Sequence, residues 1–281
     1  MAQLTGEHSR AAALLADLEA LVAATGNPGA GAQLALNRGV AARTSGRPFV
    51  AREQLSAALA YYRRSGDLEL LAITLVNLTS VLLVFGDEAA AEACAREVLE
   101  LSRSVKGQPL IANALNDLGE IARYRGADKL AATYYTESLQ LFRRMGNRGQ
   151  IPRLLHNLGQ LALRKGELAR AGEQFAESLR QFAEQRMERG MLEGMIAFGA
   201  LAAAQGNPLL AARLWGAAEG LSGQPGLDLW PPDQLAYAEA LARARAASVS
   251  EAFAAAWQAG RGLDWEAAYA LSETVAWSAV G

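Results

Sequence analysis

The chain has 281 residues, 51% of them hydrophobic, and a formal net charge of −2 from 27 basic and 29 acidic side chains. That balance excludes the broad cationic footprint on which counterion release from nucleic acid depends. One cysteine, Cys94, excludes an internal disulfide, and two histidines far apart, His8 and His156, leave a metal cluster without its usual ligands.

The dominant signal is a period. Gly46, Gly86, Gly126, Gly166 and Gly206 stand 40 residues apart, and glycine beside a polar residue marks a turn between helices because it accepts positive φ at low cost. Four further columns keep the same spacing. They are Gly39, Thr79, Gly119, Gly159 and Gly199; then Ala51, Ala91, Ala131, Ala171 and Ala211; then Leu75, Leu115, Leu155 and Met195; then Leu78, Leu118, Leu158 and Phe198. A fixed period of this size means stacked supersecondary units. Apolar residues between the columns recur at helical spacing, as at Ile111, Leu115, Leu118 and Ala122. The unit predicted is a pair of helices of roughly 25 Å each at the α-helical rise.

In chain order, the first element is a half repeat over residues 8–26, since Gly6, Ala11 and Leu15 continue the second-helix columns. Its missing partner helix points to a fragment of a longer polypeptide, or else to a divergent cap. Five repeats follow, over residues 30–66, 68–107, 109–146, 148–187 and 189–222. The apolar stretch from Leu70 to Phe85, interrupted by Asn77, falls in register with the repeat. It is shorter than the roughly 20 residues of a bilayer span, and MAQLTGEHSR has no basic-then-apolar leader. The expected setting is therefore cytoplasmic, with no membrane partner. After Leu221 the period fails at SGQPGLDLWPPD, a turn-rich connector, and shorter amphipathic helices complete a capping segment over residues 223–281. All five tryptophans lie between Trp215 and Trp277, placed to close the open end of a core.

Two stretches carry a specific resemblance: LNDLGEIARYRG…LAATYYTESL and LHNLGQLALRKG…ARAGEQFAESL. A bulky residue, Leu-Gly, a small residue, an alanine twelve positions after the glycine and then an aromatic (Tyr135, Phe175, Trp215) together resemble the tetratricopeptide repeat. Leu55 and Ala95 at the aromatic position depart from the pattern, and 40 residues exceeds the standard 34. The fold the resemblance implies is all-α, a right-handed superhelical solenoid of helical hairpins with a carboxy-terminal helical cap. Lengthened repeats of this kind resemble the sensor regions of bacterial STAND-type signalling ATPases, maltose-activator-type and LuxR-type regulators, and also peptide-pheromone receptors. The run AARLWGAAEGL…PPDQLAYAEALARARA…EAFAAAWQAGRGLDWEAAYAL strengthens the likeness to the first group. The implied function is a ligand- or partner-sensing region of a larger signalling protein; a stand-alone assembly scaffold, self-associating into homo-oligomers, is the alternative.

No GxxxxGK[ST], HExxH, GxSxG or CxxC occurs, so the reading is of a binding scaffold rather than an enzyme, with no cofactor and no metal. Cys94 reads as a small packing residue. Function is expected on the first helices, which line the concave face in tetratricopeptide stacks. The third repeat presents Asn113, Asn116, Asp117, Glu120, Arg123 and Tyr124 at i, i+3, i+4, i+7, i+10 and i+11. The fourth presents Arg153, His156, Asn157, Gln160 and Arg164, and the second the greasier Ile73, Val76, Asn77, Ser80 and Val84. The column Asn37, Asn77, Asp117 and Asn157 offers carboxamides that pair with both edges of a peptide bond. An exposed ladder of them is expected to grip an extended peptide, with the arginines meeting a carboxylate or phosphate. The alternative is that the asparagines bond to neighbouring helices and the arginines pair with local acids. The partner expected in the groove is a peptide, a protein or a small effector.

Overall fold

A computed structural model describes residues 16, 17, 19, 20, 22–105, 107–223, 229 and 231–278. Gly6, Ala11, Leu15, much of the half repeat, and Trp230 lie outside the described residues. Among the described residues there is no strand. Thirteen complete helices follow residues 22–25: α1 (Pro28–Thr44), α2 (Pro48–Ser65), α3 (Leu68–Val84), α4 (Glu88–Val105), α5 (Gln108–Tyr124), α6 (Asp128–Arg144), α7 (Ile151–Arg164), α8 (Leu168–Glu184), α9 (Glu188–Ala204), α10 (Pro208–Ser222), α11 (Pro231–Ala246), α12 (Ser250–Arg261) and α13 (Trp265–Ser278). The fold is an all-α solenoid of helical hairpins. No described helix is long and apolar enough to cross a membrane.

The turns repeat one chemistry. Gly46, Gly86, Gly126, Gly166 and Gly206 all have φ between 69° and 81°, the left-handed conformation that glycine enters without steric cost. At each, the following amide reaches back to a carbonyl of the last helical turn, as in Arg47 N–H to Ala42 O (2.8 Å), Glu167 N–H to Ala162 O (2.9 Å) and Asn207 N–H to Ala202 O (2.9 Å). This is the Schellman closure of a helix end. Gly26, Gly66 and Gly146 share the conformation, so the backbone period is 20 residues, half of the sequence period. At Arg186 the same step is taken by a residue with a side chain, at φ 54°.

The chain divides into two compact units, residues 1–121 and 122–281. In the first, α1 to α4 pack consecutively around Leu36, Leu55, Tyr62, Leu75, Leu78 and Val98. In the second, α6 to α10 pack consecutively around Phe175, Leu179, Met195, Phe198, Leu201 and Trp215. The alanine column is fully buried at every position, Ala51 to Ala211, which lets paired helices approach closely.

The glycine column has a partner the spacing did not name. A Cβ at Gly39 would meet the Leu55 side chain, one at Gly159 the Phe175 ring, and one at Gly199 the Trp215 indole. Each glycine thus makes room for the large residue sixteen positions on. In the second repeat the bulk is exchanged, with Thr79 and Ala95 both buried.

Within the second unit the helices after α10 wrap back onto the stack. The closest packing is α12 on α10, where Gly216 and Gly220 face the backbone at Trp257 and Arg261, and Gly260 faces that at Arg213. The Trp215 indole donates to Ile196 O (3.1 Å) and Trp257 donates to the Glu219 carboxylate (2.6 Å). α13 lies on α8, α9 and α10, and α11 lies on α9 and α10.

Candidate functional site: a slot beneath α11

The twelve residues expected on the concave face fall into both units. Asn77, Asn113, Asn116, Asp117 and Glu120 belong to the first; Arg123, Tyr124, Arg153, His156, Asn157, Gln160 and Arg164 belong to the second. Their exposure differs from the expectation. Asn37 and Tyr124 face solvent, and Asn77, Asn113, Asn116, Arg153 and Gln160 are half-buried. Asp117, Glu120, Arg123, His156 and Asn157 are all less than a tenth exposed. The expected exposed asparagine ladder is corrected accordingly: its polar groups are largely engaged within the protein. Asn37 accepts from Gln33 (3.1 Å), and Asn77 donates to Ile73 O (2.8 Å) while accepting from Arg43 (3.2 Å).

In the first unit these contacts draw α1, α3 and α5 together. Burial pushes the Asp117 carboxyl up to about 8; Glu120 reinforces this, while Asn116 and Arg43 oppose it.

In the second unit the cause of burial is α11. Its first turn carries Asp233, whose carboxylate accepts from Arg123 Nη1 at 2.6 Å across 110 residues of sequence. Both partners are largely buried, with side-chain exposures of 4% and 14%. Burial alone would raise the Asp233 carboxyl, but the Arg123 guanidinium outweighs it and holds the group below its ordinary 3.8. Arg153 pairs with Glu193 (3.6 Å), which also pairs with Arg189 (3.2 Å), and Arg164 pairs with Asp128.

Between α7, α9 and α11 lies a half-open slot of about 850 Å³, within the range of small-ligand sites. α7 supplies its polar wall, His156, Gln160 and Arg164, one turn apart; α9 and α11 supply Ile196, Ala197, Ala200, Ala236, Ala240 and Ala244. Tyr237 stands edge-on to Trp215 at 5.5 Å beside it, and burial pushes its phenol up to about 12. The Gln160 amide nitrogen lies 3.3 Å from His156 Nε2. An amide nitrogen only donates, so Nε2 accepts and the imidazole proton sits on Nδ1. That Nδ1 is buried without a hydrogen-bond partner among the described residues. Burial lowers the His156 pKa, opposed by Asp233 and Glu193, so the ring is neutral near pH 7.

Sequence reasoning picked out the α7 stripe and missed Asp233, Glu193 and the α11 wall. Asp233 after Pro231-Pro232 reads as an acid in a first helical turn, and nothing in its neighbourhood points to Arg123. Cys94 is buried and its thiol pushed up by that burial, consistent with a packing role. Among the described residues no group of three His, Cys, Asp or Glu is placed to hold a metal ion.

Comparison with protein families gives no match, and comparison with curated proteins gives none either. Solved structures do match. BtubC (BKLC) from P. vanneervenii aligns with a TM-score of 0.57 at 19% identity, covering 78% of this chain and 92% of that one. The apo form of RapI aligns with a TM-score of 0.56 at 12% identity, covering 82% and 87%. At such identities the likeness is one of fold.

Proposed function

We propose that the chain is a ligand-binding helical-repeat scaffold whose site is the slot walled by α7, α9 and α11. In this reading it serves as the sensing region of a larger cytoplasmic signalling protein, responding to a peptide or small effector. The observation that carries it is the slot itself, an apolar trough of about 850 Å³ with a neutral polar edge. The neighbouring charges are paired with one another, an arrangement suited to holding a molecule rather than to transferring a proton or group. The carboxy-terminal likeness to sensor regions of signalling ATPases supports the regulatory context.

The test is selection of a peptide library and an effector library on the immobilised chain, run beside Ala200→Trp. Ala200 is half-buried on the slot wall, so an indole there fills the trough. Ligands enriched on the wild type and lost on the variant support the reading. Enrichment equal on both counts against the slot.

A further inference from the structure

We infer that the slot takes an uncharged, elongated, largely apolar small molecule that presents a hydrogen-bond acceptor to His156. This rests on the reading of the slot as the ligand site and narrows it to one chemical class. Three observations carry it.

The first is the state of the charges. Asp233 is held by Arg123, Glu193 by Arg189 and Arg153, and Asp128 by Arg164. A charged ligand would have to break one of these pairs or enter without a counterion, and burying an unpaired charge is strongly unfavourable. Glu239 and Arg243 also line the slot, but both are exposed.

The second is His156. Its neutral ring, fixed by Gln160, keeps a buried N–H on Nδ1 with no acceptor among the described residues. An unmade buried donor is costly, and a ligand carbonyl or hydroxyl oxygen supplies what is missing.

The third is the shape and lining. On α11 the wall runs from Asp233 to Ala247, roughly 21 Å at the α-helical rise. Opposite stand Ile196, Ala197 and Ala200, whose side chains have no polar atom to offer. A peptide lying there would bring main-chain N–H groups that the side chains of this wall cannot satisfy. A hydrocarbon chain requires nothing of it and gains from leaving water.

Isothermal titration of the full chain with dodecanamide, dodecanoate and dodecylamine, each below its aggregation concentration, tests this. The amide is expected to bind at one equivalent and roughly tenfold or more tighter than either charged analogue, as expected when one charge is left unpaired. Ala200→Trp and Ala236→Trp are each expected to abolish the heat while the far-ultraviolet helical signal holds. Nitrogen-15 spectra of histidine-labelled wild type, which need no variant, are expected to show the His156 Nδ1 resonance move on addition of the amide.

Equal binding of dodecanoate, or amide binding that leaves the His156 signal unmoved, overturns the inference. No binding of any of the three probes overturns it as well; library ligands still lost on Ala200→Trp would then keep the slot as the site. Library ligands and amide both indifferent to Ala200→Trp would remove the slot and the inference together.

Discussion

At Gly199 a methyl group would run into the Trp215 indole, and at Gly159 into the Phe175 ring; the repeat is keyed residue against residue. Gly159→Ala and Gly199→Ala are each expected to cost about 1–3 kcal/mol through overpacking, read as a lower urea midpoint with the helical signal retained. The exchanged pair in the second repeat gives a sharper check. Ala95→Phe alone is expected to destabilise, because Thr79 already fills that room, and adding Thr79→Gly is expected to recover part of the loss. A double-mutant cycle that comes out additive would break the keying. Asp117 supplies a pH signature. Its carboxyl titrates at about 8 in the folded chain against an ordinary 3.8. Between those values the folded state holds a proton that the unfolded state has released, so stability is greatest below the lower value and declines as pH rises to the upper one. Asp117→Asn is expected to flatten that slope, checked by urea midpoints across the range. The keying glycines were legible as a column, but their partners were not: a spacing shows that a position is small without showing what fills the space.

Among elements, the helices themselves were the most legible feature. Period, turn glycines and alanine column all follow from local backbone rules, so the sequence displays them directly. The position of α11 was not legible, because the Arg123–Asp233 pair that fixes it spans 110 residues and leaves no periodic trace. The polar stripe of α7 was correctly seen as polar; its burial came from a helix that sequence reasoning assigned to a terminal cap. Arg123→Ala strands the Asp233 carboxylate and is expected to cost about 3–5 kcal/mol, as for a buried pair losing one partner. Arg123→Met with Asp233→Leu is expected to regain most of it, since no charge is then left buried. Thermal unfolding of the two variants checks this; a single variant as stable as wild type would show that the pair does not hold α11.

For the whole molecule, two separate cores and a one-sided distribution of tryptophan make unfolding readable by unit. All five tryptophans lie in residues 122–281, so indole fluorescence reports that unit, while far-ultraviolet dichroism reports every helix. Repeat arrays lose all-or-none cooperativity more readily than single-core domains. The two probes are therefore expected to give different urea midpoints. Coincident curves would mean that both cores melt as one.

The left-handed turn at Arg186 has a practical consequence. Every other described residue with positive φ is glycine, and Arg186 holds its conformation, φ 54°, against its own Cβ. Its side chain is exposed, so relieving the strain sacrifices no core contact. Arg186→Gly is expected to raise the calorimetric melting temperature, by an amount equivalent to about 0.5–1 kcal/mol after the added freedom of the unfolded chain is deducted. Thermal hardening of this scaffold thus begins at a connection between helices, where one atom too many is carried on the backbone.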